Sequence, residues 1–321
     1  MKKATMLLLI AAVSFILIGG VIFVCAMAAL QWDFTRLSTT NYETNSYEID
    51  EAFAAITVNT DTADVLLLPA EDGKRLVVCH EQEDRKHTVT VQDGVLVVAP
   101  ASESAWHSHI GIHFGTPKIT LYLPTGEYNA LLITSDTGDV HIPADFAFQS
   151  IEIKSDTGDI TNYASASETI KITADTGDLR AESIATCALT LCTTTGDITA
   201  TNVTCHGDLS VDVTTGDVTL VGVTCKNLRS NGDTGDITLD GVIAAEAFVV
   251  ARSTGEICLA GCDAATISLQ TDTGDIKGTL LSEKVFDVST DTGERDVPNT
   301  HTGGKCEIIS DTGDVWIRIQ Q

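Results

Sequence analysis

The chain has 321 residues, 45 of them acidic against 19 basic, for a net charge of −26. A surface this acidic repels nucleic acid and anionic lipid headgroups, and it attracts cations or basic partners, so nucleic-acid binding is set aside. Only 5% of residues are aromatic although 43% are hydrophobic, and the 9 cysteines include no C-x-x-C pair. Val, Ile, Leu and Ala in that proportion suit stacked β layers better than a core of large rings, and the cysteine spacing excludes a zinc ribbon or a thioredoxin-like motif.

Lys2 and Lys3 precede a run from Ala4 to Leu30 without a charged residue. About 20 apolar residues span a bilayer core, so residues 1–30 are expected to form a transmembrane signal anchor, inserted through residues 4–30. The two lysines favour a cytoplasmic N-terminus, a single pass through the cell membrane and an extracytoplasmic remainder. A cleaved signal peptide, cut near Ala26-Met27-Ala28, is the competing reading, but its apolar core would be shorter. A lipoprotein site at Cys25 is disfavoured by Val24, which stands where a small residue is expected.

Residues 31–46 read as a polar tether. Residues 47–130 read as a β cap with a degenerate first coil: Ile56 and Val58 alternate, Asp61-Thr62-Ala63-Asp64 follows, then Val65 and Leu67. RLVVCHE, HTVTVQDGVLVVAP and KITLYLP read as strands, with Asp93-Gly94 as a hairpin signal. His107, His109 and His113 lie close together in WHSHIGIHF. On a strand they would share one face and could bind a transition metal; with no Cys, Asp or Glu beside them, the plainer reading is a polar loop tip.

From residue 131 to 321 one phrase recurs. Thr-Gly followed by an acid occurs at Gly138, Gly158, Gly177, Gly196, Gly216, Gly235, Gly255, Gly274, Gly293 and Gly313, at steps of 19 or 20 residues. A fixed period of this length marks a stacked repeat. We number these copies one to ten along the chain. Seven residues before the glycine stand Leu131, Ile151, Ile170, Leu189, Leu209, Leu228, Phe248, Ile267, Phe286 and Cys306, and apolar residues recur five before and two after it. A further apolar position, seven after it, recurs at Ile184, Val203, Val223 and Val242. Apolar residues two apart signal strands with one buried face. Each copy therefore predicts strand, tight turn, strand, and the whole predicts an all-β parallel β-solenoid, or β-helix, with 19–20-residue coils behind one transmembrane helix. Coils ~4.8 Å apart would make a rod on the order of 50 Å long. Right-handed winding is expected, with VWIRIQ and Trp316 covering the C-terminal end.

The glycines are expected to supply positive φ, and the first Asp and the Thr to bond the turn backbone. Thr194, Thr214 and Ser253 replace that Asp by residues able to make the same bond, a pattern of structure and not of chemistry. Asp-Thr-Gly is also the triplet of aspartic proteases, which need two copies facing across a cleft. Copies stacked in a line cannot do so, and no catalytic residues and no organic cofactor are assigned. Asp139, Asp159, Asp178, Asp197, Asp217, Asp236 and Asp275, with Glu256, Glu294 and Asp314, should line one edge of the rod. The edge reads either as a solvated acidic face or as a row of calcium ligands, since calcium prefers oxygen donors. Cys205 and Cys225, each nine after a repeat glycine, should stack on adjacent coils, as a disulfide or as small buried apolar groups.

The anchor, the DTAD coil, the KITLYLP strand and the serial TGD coils resemble a bacterial β-strand-repeat family of unknown function whose members are labelled putative adhesins. The resemblance runs from about Tyr47 to Ile319. It implies a cell-surface module and supplies no catalytic residues. Two departures are Glu294-Arg295, in place of an acidic-apolar pair, and Thr302-Gly303-Gly304 before the last coil. The expected function is a non-enzymatic, membrane-anchored adhesin or scaffolding module with a cell-surface or membrane-protein partner. The alternative is an accessory or sensor subunit of an envelope-stress system. A carbohydrate-active β-helix enzyme ranks last, because short uniform coils leave no long loops to form a cleft.

Overall fold

The structure, a computed structural model, describes residues 3–33, 41–71, 73–101 and 115–320. The three histidines at 107, 109 and 113 lie outside the described residues. Lys3–Ala29 is one α-helix, and its Leu8–Ala29 stretch, with mean hydropathy 2.9, is long and apolar enough to cross a membrane. Its apolar side chains point in every direction, with Leu8, Phe15 and Ile16 among the most exposed in the chain. That is the pattern of a helix that meets a nonpolar medium all round, and not of an amphipathic surface helix.

The repeats form a parallel β-solenoid. Each coil has a long strand ending at the Thr before the glycine, a corner, and a short strand beginning two residues after it; the third coil, for example, pairs Ser165–Thr176 with Leu179–Glu182. Long strands stack on long strands and short on short, in register: Ile170 opposite Leu189, Leu189 opposite Leu209, Leu179 opposite Ile198. The two-residue alternation of the sequence becomes an alternation of buried and outward side chains. Ile151, Ile170, Leu189, Leu209, Leu228 and Phe248 form one continuous buried ladder, each at most 1% exposed. Each such side chain contributes roughly 1.5–3 kcal/mol through burial. A single coil has no second layer to bury them against, so the stack is the folding unit.

After the short strand the chain turns through a second corner, six residues past the glycine. Ser183, Asn202, Gly222, Gly241 and Gly261 all sit there at φ between 54° and 61°. The next residue, Ile184, Val203, Val223, Val242 or Cys262, points inward and is buried.

The stacking order differs from the chain order at both ends. At the C-terminal end the tenth coil lies between the eighth and the ninth: Cys306 pairs with Ile267 on one side and Phe286 on the other. The ninth coil therefore closes the rod, and Trp316 does not: it stands outward on the short-strand sheet, beside Lys277 and Asp296. Two features of the sequence now have causes. Arg295 stands where other coils are apolar because nothing stacks beyond it. Its guanidinium folds back and donates to the Val288 carbonyl at 3.0 Å and the Thr290 carbonyl at 3.1 Å, covering acceptors of the edge strand. Gly304 is bare because a Cβ there would lie 1.8 Å from the Ala265 carbonyl oxygen of the eighth coil, and its pairing partner Lys284 sends its amine to Asp263 at 2.6 Å.

At the other end, Ala55–Thr60 and Asp64–Pro69 form the degenerate coil. It lies between the first repeat coil and a layer made of Val95–Pro100 and Lys118–Leu123. His87–Gln92 and Leu76–Gln82 then pair antiparallel onto that layer, and Tyr42–Glu48 onto the latter strand. Reversing direction ends the parallel stack, so a further coil cannot simply add on.

Candidate functional site: the glycine corner and the faces it sets

At the corner, Gly138 through Gly313 have φ between 130° and 155°, a region open almost only to glycine. A second constraint was not visible in the sequence. A Cβ on any of these glycines would meet the carbonyl oxygen of the corner in the preceding coil, at 2.5 Å for Gly138 against Ala63, 2.1 Å for Gly177 against Gly158 and 2.0 Å for Gly274 against Gly255. The glycines thus form a ladder in which each backbone packs on the next. Ala63, at the equivalent corner of the degenerate coil, does not share the positive φ of the glycines, and the Asp64 N–H after it donates to the Pro117 carbonyl.

The acid after the glycine has a structural duty. In each corner but the ninth, which ends the stack, the glycine N–H and the N–H two residues on both donate to the next coil, as with Gly158 to the Thr176 carbonyl and Ile160 to the Asp178 carbonyl. The intervening N–H points the other way, and the acid of the preceding coil accepts it. Asp139 donates its N–H to Asp64 Oδ1 at 3.0 Å, Asp159 to Asp139 at 2.9 Å, Asp178 to Asp159 at 2.9 Å, and Asp197, Asp217, Asp236 and Glu256 continue the series at 2.8 Å. The ladder then breaks. Glu256 turns to Lys277 and accepts from the Cys258 thiol, and these bonds hold its carboxyl below the usual range, the Cys258 bond most. It resumes from Asp275 to Asp314 to Glu294, in the 8–10–9 order.

The expectation that the first Asp bonds the turn backbone is not met: among the described residues it makes no side-chain hydrogen bond. Asp136 lies in that row, and desolvation, then Asp61 and Asp156, raise its carboxyl above the ordinary range. In several coils a buried hydroxyl three before the glycine bonds instead, as when Thr193 Oγ1 donates to the Gly177 carbonyl at 3.2 Å and Thr271 Oγ1 to Gly255 at 3.2 Å, whereas the Ser135 and Ser155 hydroxyls at the same position are buried without a partner. In the seventh coil Arg252 takes this inward position. Its guanidinium passes over Gly232 to donate to the Val213 carbonyl at 3.1 Å, with Nε and Nη2 buried and unpaired.

Cys205 and Cys225 occupy neighbouring coils as free, buried thiols. Cys205 donates to the Asp208 carbonyl at 3.3 Å, and burial pushes the Cys225 thiol to about 12. A cluster that sequence reasoning missed lies in the N-terminal cap, where Cys79, Glu81 and His87 converge. RLVVCHE reads only as a strand; the signal was Cys-x-Glu on its inward face. Burial, then Glu81, pushes the Cys79 thiol to about 12.

Outside the corners, the coils present two flat faces. On the short-strand face Thr199, Thr219 and Thr238 stand in register on consecutive coils, outward, three residues past their glycines. A cavity of about 610 Å³ opens between Leu68, Pro69, Leu76 and Tyr122, with Glu48 and Lys74 also lining it.

A parallel β-solenoid with a glycine–acid corner ladder and an apolar N-terminal helix is the class that this geometry defines. The chain belongs to the Toastrack DUF4097 family, whose model matches residues 53–209 and 205–321. No curated protein matches it. Similar solved structures include a putative lipid binding protein from Parabacteroides distasonis (15% identity, 88% of this chain and 98% of that one, TM-score 0.48). Others are a putative adhesin from Parabacteroides distasonis (13%, 87% and 98%, 0.46) and one from Bacteroides fragilis (16%, 87% and 97%, 0.36).

Proposed function

We propose that this chain is a non-enzymatic, membrane-anchored, extracytoplasmic rod that binds or scaffolds through its outward sheet faces. The observation that carries the reading is the in-register row of Thr199, Thr219 and Thr238 on a flat face. Inward positions have a packing duty and the corner acids a backbone duty; the outward threonines have neither. Evenly spaced hydroxyls on a rigid sheet suit a repeating polar partner such as a polysaccharide, which meets each coil in the same way. The apolar helix supports tethering to the membrane. The test places the full chain in lipid vesicles and measures retention on immobilised polysaccharides. Loss of retention in Thr199→Lys/Thr219→Lys/Thr238→Lys, with the melting curve unchanged, supports the reading; retention indifferent to those changes refutes it.

A second reading, an accessory or sensor subunit of an envelope-stress system, is favoured by Gly19 and Gly20. Both are open on their flanks, and paired small residues let another membrane helix approach closely. Crosslinking from position 19 to a second membrane protein in intact cells supports it, and a solitary chain there opposes it.

A further inference from the structure

We propose that Cys79, Glu81 and His87 form a binding site for a divalent transition metal of the zinc class. Cys79 and Glu81 alternate on Leu76–Gln82, so both point inward, at 0% and 1% exposure. A turn closed by the Arg85 N–H on the Gln82 carbonyl returns the chain, and His87 starts the strand in the facing sheet. One donor atom from each residue lies within 4.8 Å of the other two, and His87 Nδ1 is 2.8 Å from Glu81 Oε2. Thiolate, imidazole and carboxylate together suit Zn²⁺ and its neighbours, whereas calcium and magnesium take oxygen alone.

The surroundings are those that a metal site requires. A ligating imidazole needs its second nitrogen held by a hydrogen-bond partner, and a ligating carboxylate needs its own donors. His87 Nε2 lies 3.3 Å from Thr60 Oγ1, and Glu81 Oε1 accepts from Asn45 Nδ2 at 2.8 Å. The His87 backbone N–H donates to Oε2 at 2.7 Å, which ties the ligand strand ends together. Charge also fits: a divalent ion held by a carboxylate, a thiolate and a neutral imidazole leaves no net charge in the buried site. Tetrahedral bonds of about 2.0 Å to N and O set those atoms about 3.3 Å apart, so the Nδ1–Oε2 pair opens by about 0.5 Å to admit the ion. Three protein donors leave a fourth position for water.

The test uses the full chain in detergent, stripped with a chelator and titrated with Co²⁺, then Zn²⁺. One equivalent of Co²⁺ should produce a thiolate-to-cobalt charge-transfer band and the strong visible absorption of a tetrahedral ion, both removed by Zn²⁺. Cys79→Ser should abolish the charge-transfer band, and Asn45→Ala should weaken Co²⁺ about 10–100-fold. No band, or a band that survives Cys79→Ser, overturns the proposal. If Cys79→Ser fails to fold by circular dichroism, Asn45→Ala and Thr60→Val carry the test, and unchanged affinity in both overturns it.

Discussion

Gly177→Ala separates the two constraints on the corner glycine. The residue sits at φ +142°, and a methyl there lies 2.1 Å from the Gly158 carbonyl oxygen. The backbone conformation costs an L-residue about 1–3 kcal/mol. The overlap is with backbone in a ladder repeated along the rod, so no side chain can swing away, and relieving it costs a further 1–3 kcal/mol or so. Together these give roughly 2–6 kcal/mol, or about 4–24 °C in Tm at 2–4 °C per kcal/mol for a chain of this size. Gly241→Ala is the control. It sits at φ +61°, but its methyl would come no nearer than 3.9 Å to the Gly222 backbone. Only the left-handed conformation is then penalised, about 1–2 kcal/mol, and Gly241→Asn should cost less still, because Asn202 already occupies the equivalent corner. The assay is denaturant and thermal unfolding of the full chain in detergent, followed at the β-sheet circular dichroism band. If Gly177→Ala costs no more than Gly241→Ala, the stacked carbonyl is not a constraint and the corner account is wrong.

Asp136→Asn should raise Tm at pH 7 and change nothing near pH 3. The folded carboxyl is raised, chiefly by desolvation, so its stability contribution is full at low pH and is lost as pH rises through the carboxylate range. Asp178→Ala should cost about 1 kcal/mol by removing the acceptor of the Asp197 N–H, and Asp178→Asn less, since an amide oxygen accepts the same bond; chemical denaturation ranks the two. Arg252→Met should be neutral or stabilising, because the buried guanidinium leaves Nε and Nη2 unpaired. Gly232→Ala should destabilise strongly, its methyl falling 1.5 Å from Arg252 Nη1 and 2.2 Å from the Val213 carbonyl oxygen; beside Arg252→Ala the first overlap goes and the second stays, so a double-mutant cycle should recover only part of the loss. Calcium titration should give no saturable heat, since Asp139, Asp159, Asp178, Asp197, Asp217, Asp236 and Asp275 each already spend one oxygen on a neighbouring N–H.

The coil was legible because its signals are local. Alternating residues such as Ile170 and Ile172 declare a buried strand face, and a glycine at a fixed step declares a corner. The role of the second acid was not legible, because the N–H that Asp159 satisfies belongs to Asp178, 19 residues on. A row of like charges suggested only a solvated face or an ion; the backbone N–H that each Asp from Asp139 to Asp236 accepts could not be read from it. The cap cluster was hidden for the same reason: Asn45, Thr60, Glu81 and His87 come from four segments, and only the antiparallel reversal of the cap brings them together.

The departure at coil nine was visible as sequence and opaque as meaning. A charged residue at an inward position reads as a flaw in the repeat when coils are assumed to stack in chain order. In the 8–10–9 order it becomes a feature of an end: Arg295 has no coil above it, so it can bend over the edge and occupy two carbonyls that would otherwise invite another strand. Lys284 belongs to the same end: from the closing coil its amine reaches Asp263 on the eighth, so the tenth coil is held between two layers joined by an ion pair. Arg252 makes the comparable reach to Val213, and there the intervening residue must be bare, because a methyl on Gly232 would fall 1.5 Å from Arg252 Nη1. Gly304 is bare for a different reason, the Ala265 carbonyl oxygen that a methyl would meet at 1.8 Å, so the same glycine serves a side-chain passage in one coil and a backbone approach in another.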